Sequence, residues 1–205
     1  MAKKDKKQKK QKKQIVKKPK AETKKKVKKR WFKILASPEF QEVPIGESLL
    51  DDIELLKGRC ITLNLMNIMN DMSKQNQKVT FLVDSLKNNQ GNTQLVKYEL
   101  MPTYVKKLSK KAKGKVTDTF ICETKDNKKV CIKPLIMTKR HASRSQLADV
   151  RKKVNEYFVT ECKQMSYKDV MLNIVHDRMQ KSLRDQLKKV FPTYMSLVRV
   201  CKLEK

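Results

Sequence analysis

The side chains that most often perform catalysis or bind metals are few and scattered in this sequence. The two histidines, His141 and His176, form no H-x-x-x-H pair, and the five cysteines contain no C-x-x-C pair, although zinc sites need closely spaced ligands. The four glycines form neither a G-x-G-x-x-G motif nor a P-loop that could hold a nucleotide. Asp51 and Asp52 fall in a predicted loop, where a solvated acidic patch is the favoured interpretation. The sequence therefore predicts no enzyme, no metal site and no cofactor.

Two cysteines have a possible geometric relationship. A two-residue turn at Asp126-Asn127 would pair residue 125 with residue 128 and place Cys122 directly opposite Cys131. That arrangement is compatible with a cross-strand disulfide or with half of a metal site. Two reduced, buried thiols are the favoured interpretation, because cysteine is usually buried and an odd number of cysteines fits a reducing compartment.

Basic residues carry the strongest chemical signal. The 205 residues include 50 Lys and Arg against 21 Asp and Glu, a net charge of +29. Such a field attracts polyanions, so nucleic acid or an anionic membrane is the expected partner. A membrane is disfavoured because no long apolar run occurs and the basic N-terminal segment has no apolar face. Residues 1–30 hold seventeen Lys and Arg and very few apolar residues, which predicts a Lys-rich arm that is disordered until it is bound.

Three basic clusters adjoin or follow this arm. The N-terminal cluster is Lys28, Lys29, Arg30 and Trp31; the 106–115 cluster is Lys106, Lys107, Lys110, Lys111, Lys113 and Lys115; the 139–153 cluster is Lys139, Arg140, His141, Arg144, Arg151, Lys152 and Lys153. One charge run is usually a solvated surface, but three in one chain favour phosphate binding that is salt-dependent and tolerant of sequence. A helix N-terminus at Ser143 would add backbone N–H groups suited to phosphate. Trp31 either stacks on an unpaired base or, as is commoner for a lone Trp that opens a strand, anchors a core.

Hydrophobic periodicity predicts one α+β domain over residues 31–205. Strands are expected at 31–36, 61–66, 78–84, 93–99, 115–124 and 128–138, with an irregular stretch at 37–58 and a short basic helix from Pro102 to about Ala112. Ser143 with Gln146 and Ser166 with Asp169 have the spacing of helix caps. An apolar stripe over 179–191 is expected in the core, and residues 197–203 are expected to return as a strand. The prediction is an antiparallel sheet or barrel-like core followed by two or more C-terminal helices and a closing strand.

Several ordered segments resemble one known family. They are Lys29–Phe40, Ile45-Gly46, Leu56–Arg59, Thr138–Lys153 and Val190–Leu203. Together they are similar to the archaeal and eukaryotic small-subunit ribosomal protein family called S-one-e or S-three-A-e, over about residues 29–203. The chain departs from the family pattern at Ser37, inserted between Ala36 and Pro38, and at Asn127, where the family has glycine.

The resemblance implies a non-enzymatic structural constituent of the small ribosomal subunit, on its platform near the messenger exit. The implied partners are small-subunit rRNA and neighbouring platform proteins, with messenger RNA and initiation factors as further candidates. The implied location is the cytoplasm, with a nucleolar stage during assembly in a eukaryote. The arm and the three clusters would then form the rRNA-binding surface. A chromatin or general nucleic-acid packing protein is the main alternative, and an RNA-modifying enzyme is disfavoured by the missing cofactor loop.

Overall fold

The computed structural model describes residues 28–204, which form a nine-stranded sheet and five α-helices. The strands are β1 (Arg30–Leu35), β2 (Pro44–Leu50), β3 (Cys60–Asn64), β4 (Gln77–Lys87), β5 (Gln90–Leu100), β6 (Gly114–Thr117), β7 (Phe120–Glu123), β8 (Lys129–Thr138) and β9 (Thr193–Leu203). The helices are α1 (Leu65–Met69), α2 (Pro102–Ser109), α3 (Arg144–Gln164), α4 (Tyr167–Val175) and α5 (Arg178–Lys188). This order confirms the predicted α+β class with its C-terminal helices and closing strand. Most of the predicted arm, residues 1–27, lies outside the described residues.

The sheet is open, mostly antiparallel and long in the strand direction. On one edge of β5, β4 pairs along nearly the whole strand; on the other edge, β1 pairs in parallel with its start and β9 pairs antiparallel with its end. Next to β9 lies β8, whose far edge is divided between β7 and β6. β1 and β9 therefore follow one another along the same edge of β5, and β9 extends past the end of β5 to pair with the whole of β8, which places the two ends of the sheet far apart.

Two hydrophobic clusters hold these elements together. The larger one packs the sheet against α3, α4 and α5, and Phe158, Ile174 and Leu183 are buried within it. The smaller one includes Ile34 and Leu56 beneath β1 and β2. Each such side chain contributes about 1.5–3 kcal/mol when it is fully buried.

The helix caps appear where the sequence places them. Ser143 accepts a hydrogen bond from the backbone N–H of Gln146, whose side chain accepts one from the N–H of Ser143, so the capping box is confirmed. Ser166 caps α4 by accepting a hydrogen bond from the backbone N–H of Asp169, and its hydroxyl donates to the Asp169 carboxylate. The predicted core stripe is only partly confirmed, because Met179 is buried whereas Val190 lies beyond the end of α5 and is exposed.

The prediction that residues 37–58 are irregular is wrong, because Pro44–Leu50 forms β2 and pairs antiparallel with β1. Proline and glycine suggested a loop here. Pro44 is the first residue of an edge strand, where its missing N–H leaves no bond unmade. At Gly46 a side chain would meet no atom within 4 Å, so the position is open.

The predicted register of the 115–138 hairpin is also wrong. The turn contains three residues, 125–127, and Asn127 adopts a left-handed φ of 56°, as in a type I turn followed by a bulge. Cys122 therefore pairs with Val130, and Cys131 pairs with Ile121, which puts the two cysteines on opposite faces of the sheet. Cys122 instead approaches Cys162 of α3; hydrogen bonding with Cys122, together with burial, raises the pKa of the Cys162 thiol. All five cysteines are free thiols.

Candidate nucleic-acid interface

The 106–115 cluster begins on α2 and continues through the turn into β6. Val105 and Leu108 are buried and anchor the helix, which leaves its lysines exposed. The helix ends at Ser109, three residues before the predicted end, so Lys110, Lys111, Lys113 and Lys115 lie beyond it. Repulsion between lysines at helical i, i+4 spacing is one physical reason for the early end. All six lysines are solvent-exposed.

The 139–153 cluster occupies the connection from β8 to α3 and the first turns of that helix. Lys139, Arg140, His141 and Arg144 are exposed near the helix N-terminus. The capping box uses the N–H of Gln146, and the N–H groups of Arg144 and Ser145 have no acceptor within residues 28–204. Two polarised N–H donors therefore remain beside the cations, as the predicted phosphate seat requires.

Strand pairing brings these two clusters together although they are far apart in sequence. In the register of β6 with β8, Gly114 lies opposite Thr138 and Lys115 lies opposite Met137. Thr138 immediately precedes Lys139, and its hydroxyl donates to the carbonyl of Arg140 at 2.8 Å. A Cβ at position 114 would lie 2.6 Å from the Thr138 hydroxyl oxygen, so only glycine allows this approach. The two clusters thus form one surface, which we call the basic end of the sheet.

Few acidic groups neutralise the basic end. Arg151 pairs with Asp118 in the β6–β7 connection, with Nε to Oδ2 at 3.4 Å, and Lys153 pairs with Glu156 at 3.3 Å. No other cation of these two clusters forms an ion pair with a described residue. Lys139, Arg140 and Arg144 are therefore the better candidates for phosphate contact within the 139–153 cluster, and Arg151 has a structural partner.

The N-terminal cluster lies at the opposite end of the sheet. Since β1 runs parallel to β5 with Lys33 opposite Gln90, Arg30 lies beyond the start of β5, whereas Thr138 lies beyond the level of its end. The registers separate the levels of Arg30 and Thr138 by about 17 residues, which at about 3.3 Å per residue is on the order of 55 Å along the strands. The structure therefore does not bring this cluster to the basic end.

Trp31 is exposed at this second end. Its side chain is 66% exposed, so the interpretation as a core anchor is wrong and the interpretation as a stacking platform stays a prediction. A cleft of about 490 Å³ is lined by Lys28, Arg30 and Trp31 together with Asp51 and Asp52. The predicted acidic loop therefore shares a cleft with the predicted binding residues.

Sequence reasoning did not assign Gly114 to the interface. From the sequence alone, Gly114 counted only against a nucleotide-binding loop, whereas in the fold it is the position that lets the two clusters meet. The available signal was one glycine inside a run of lysines at the start of a predicted strand.

Residues 28–204 also lack two other kinds of feature. Among residues 28–204, no group of three His, Cys, Asp or Glu is placed to hold a metal ion. No helix in the same range is long and apolar enough to cross a bilayer. The concentration of exposed cations remains the main chemical feature of this surface.

Comparison with known proteins gives a consistent result. The sequence model of the Ribosomal S3Ae family matches residues 5–205. The small ribosomal subunit protein eS1 of Nanoarchaeum equitans is 30% identical over 177 residues, which cover 86% of this chain and 89% of the relative. The protein of the same name from Haloquadratum walsbyi is 24% identical over 182 residues, covering 89% of this chain and 86% of the relative. The resemblance stated from the sequence is confirmed, and the chain belongs to the Ribosomal S3Ae family.

Proposed function

We propose that this protein is a structural constituent of the small ribosomal subunit that binds small-subunit rRNA through its phosphates. The observation that carries the proposal is the pairing of Gly114 with Thr138, which joins two basic clusters into one surface with few acids. Membership of a family whose relatives are named small ribosomal subunit proteins supports the ribosomal setting.

The basic end suits phosphate better than it suits any single small ligand. Exposed lysines and arginines carried by a helix, a turn and a strand end can follow a charged backbone without reading its sequence. Each phosphate that they neutralise releases counterions, which makes the affinity strong and steeply dependent on salt. Binding also relieves the mutual repulsion of the lysines. This is binding chemistry, and the proposed role is non-enzymatic.

The finer placement follows the family resemblance. We place the protein on the platform of the small subunit near the messenger exit, beside neighbouring platform proteins, in the cytoplasm. The Lys-rich arm, residues 1–30, includes Lys28, Lys29 and Arg30 of the N-terminal cluster, so the arm and the basic end would reach different parts of the rRNA.

Sedimentation of native lysate tests the proposal. The chain is quantified in every fraction of sucrose gradients run at moderate and at high salt. We expect about one copy for each small subunit at moderate salt, with release as salt rises. Co-fractionation with chromatin, or equal affinity for duplex DNA and rRNA, would instead favour a general nucleic-acid packing protein.

A further inference from the structure

A largely apolar groove of about 310 Å³ lies where three segments that are distant in sequence meet. Its lining includes Phe40 and Val43 just before β2, Ile68 and Met69 of α1, and His176 at the end of α4. Phe40 and Ile68 belong to the larger hydrophobic cluster, and Val43 and Met69 are only half-buried. The groove is open to solvent, so apolar surface that adjoins the core is available to a partner.

The loop before β2 is held in one conformation by its own backbone. The N–H of Ala36 donates to the carbonyl of Val43 at 2.9 Å, and the N–H of Gln41 donates to the carbonyl of Pro38 at 3.1 Å. Gln41 and Glu42 both adopt left-handed φ values, 58° and 51°, which residues of these types rarely adopt. The surrounding fold therefore maintains this shape, and the groove is formed before any partner binds, which lowers the entropic cost of binding.

The groove lies in an acidic part of a basic chain. Residues 34–56 contain six Asp and Glu and no Lys, Arg or His, although the whole chain has a net charge of +29. Glu39 lines the groove and pairs with Lys168 at 3.5 Å. Glu42 lies between two lining residues, Asp71 follows a third, and both are exposed and form no ion pair with a described residue. The rim therefore keeps two carboxylates that a cation can approach.

This combination suits a protein partner better than it suits RNA. Carboxylates at the rim repel phosphate, and no Lys or Arg is among the lining residues to offset them. Proteins that bind the same rRNA carry an excess of Lys and Arg for the same electrostatic reason as this chain. Two such proteins repel one another over most of their surfaces. An acidic patch that contains an apolar groove is a place where they can meet, because the charges there are complementary.

We propose that this groove docks a basic segment of a neighbouring protein in the small subunit. One apolar side chain of that segment contacts Val43 and Met69, and Lys or Arg residues next to it lie beside Glu42 and Asp71. Binding pockets measure about 300–1,000 Å³, so a cavity at the small end of that range suits one anchoring side chain. The inference rests on the proposed function, which supplies the neighbour, and it adds a protein-binding surface separate from the basic end.

The test places the photo-crosslinker p-benzoylphenylalanine at position 176 of the full chain, because His176 lines the groove and is exposed. Small subunits reconstituted with this chain from rRNA and purified subunit proteins are irradiated, and the crosslinked peptide is sequenced by mass spectrometry. We expect a peptide of another protein in which an apolar residue adjoins Lys or Arg.

Reversal of the rim charge should weaken this contact. Glu42→Lys combined with Asp71→Asn should lower the crosslink yield about tenfold, because the carboxylates that attract the partner are lost. Asparagine at position 71 keeps a side-chain oxygen that can accept from the N–H of Ser73, so the local turn is retained.

Two matched controls separate the groove from general effects. Glu54→Lys with Asp84→Asn makes the same change in charge at exposed positions outside the lining, and it should leave the crosslink unchanged. Met69→Gln makes the apolar wall polar and should lower the yield about fivefold, whereas Met72→Gln makes the same change at an exposed position outside the lining and should not. Melting temperatures of the free variants check that each one folds.

Several outcomes would overturn the inference. If the chain assembles into subunits but position 176 forms no crosslink, or if the crosslink keeps its yield in both groove variants, the groove has no such partner and the proposed function stands. A crosslink to rRNA or to this chain itself would identify a different occupant. A protein peptide without Lys or Arg would contradict the electrostatic argument. If the wild type does not enter small subunits at all, the proposed function fails and the inference fails with it.

Discussion

The two ends of the sheet carry similar residue types in different electrostatic settings. At the basic end, Gly114 and Thr138 bring two clusters together, and the acids nearby engage only Arg151 and Lys153. At the other end, Lys28 and Arg30 share a cleft with Asp51 and Asp52. The positive potential of the cations at the basic end is therefore little reduced. At the N-terminal end, the neighbouring carboxylates cancel part of the positive potential.

The difference shows that a count of basic residues does not locate a binding surface. In sequence, the N-terminal cluster is the most prominent, because it directly follows the Lys-rich arm. In the fold, the placement of a few acids and one glycine decides which cations are free. The N-terminal end carries the more exposed aromatic side chain, since Trp31 is 66% exposed and Tyr194, which follows the Thr193 partner of Thr138, is 40% exposed.

Charge reversal at the basic end should have the largest effect. Lys139→Glu, Arg140→Glu and Arg144→Glu together should lower the affinity for rRNA about 100-fold or more and reduce the salt slope by about two to three, because about three phosphate contacts are lost. Filter binding over a salt series measures both quantities. The same three reversals at Lys28, Lys29 and Arg30 should have a clearly smaller effect.

Arg151 is kept in both triple variants because it pairs with Asp118. A glutamate at 151 would face Asp118 and would destabilise the fold through like-charge repulsion, which would confuse binding with stability. Equal losses from the two triple variants would contradict the stated difference between the ends.

Local signals made much of the fold predictable. The caps at Ser143 and Ser166 each depend on residues three positions apart, and the strands 78–84 and 93–99 alternate along their own length. Such features require no knowledge of distant partners, so sequence reasoning found them.

The features that it missed depend on contacts between distant segments or on turn geometry. The sequence of residues 44–50 does not indicate that this segment pairs with β1. In the same way, the sequence around Gly114 does not indicate that Thr138 lies opposite this residue. The register of the hairpin differs from the predicted one because Asn127 adopts a left-handed φ and the turn contains three residues where two were predicted. The three basic clusters were therefore predictable from the sequence. That two of them meet at the basic end, and that the N-terminal cluster lies at the opposite end of the sheet, was not.

Gly114→Val should have the next largest effect. The new side chain would clash with the Thr138 hydroxyl and disturb its bond to Arg140, at a cost of about 1–3 kcal/mol of stability. Affinity for rRNA should fall about tenfold as β6 moves away from β8, a change worth about 1.4 kcal/mol. Chemical denaturation and filter binding measure the two effects.

Gly46→Val is the matched control for that experiment. Position 46 is also a strand glycine, but a Cβ there meets no atom within 4 Å, so stability should change by less than about 0.5 kcal/mol. A similar loss in both variants would mean that the effect belongs to strand glycines in general and not to the junction of the clusters.

Trp31→Ala should have a smaller effect that is confined to the N-terminal end. Because the indole is 66% exposed, stability should change little, while loss of one stacked base would weaken rRNA binding by about 1 kcal/mol, or about fivefold. Met72→Ala, at another exposed large apolar residue away from the three clusters, serves as control. Fluorescence quenching of the single Trp by rRNA reports the contact directly. Absence of quenching, with unchanged affinity in Trp31→Ala, would remove Trp31 from the interface.

Neutralising the acids should give the smallest effect and the opposite sign. Asp51→Asn with Asp52→Asn should raise the affinity for rRNA about twofold, since the carboxylates share a cleft with Lys28 and Arg30 without forming an ion pair within 4.0 Å in the described chain. The gain should vanish in the background of charge-reversed Lys28, Lys29 and Arg30, and it should shrink at high salt. A gain that persists in that background would show that the acids act on the whole field of the protein, and the two ends would then differ only in aromatic exposure and not in the local screening of their cations.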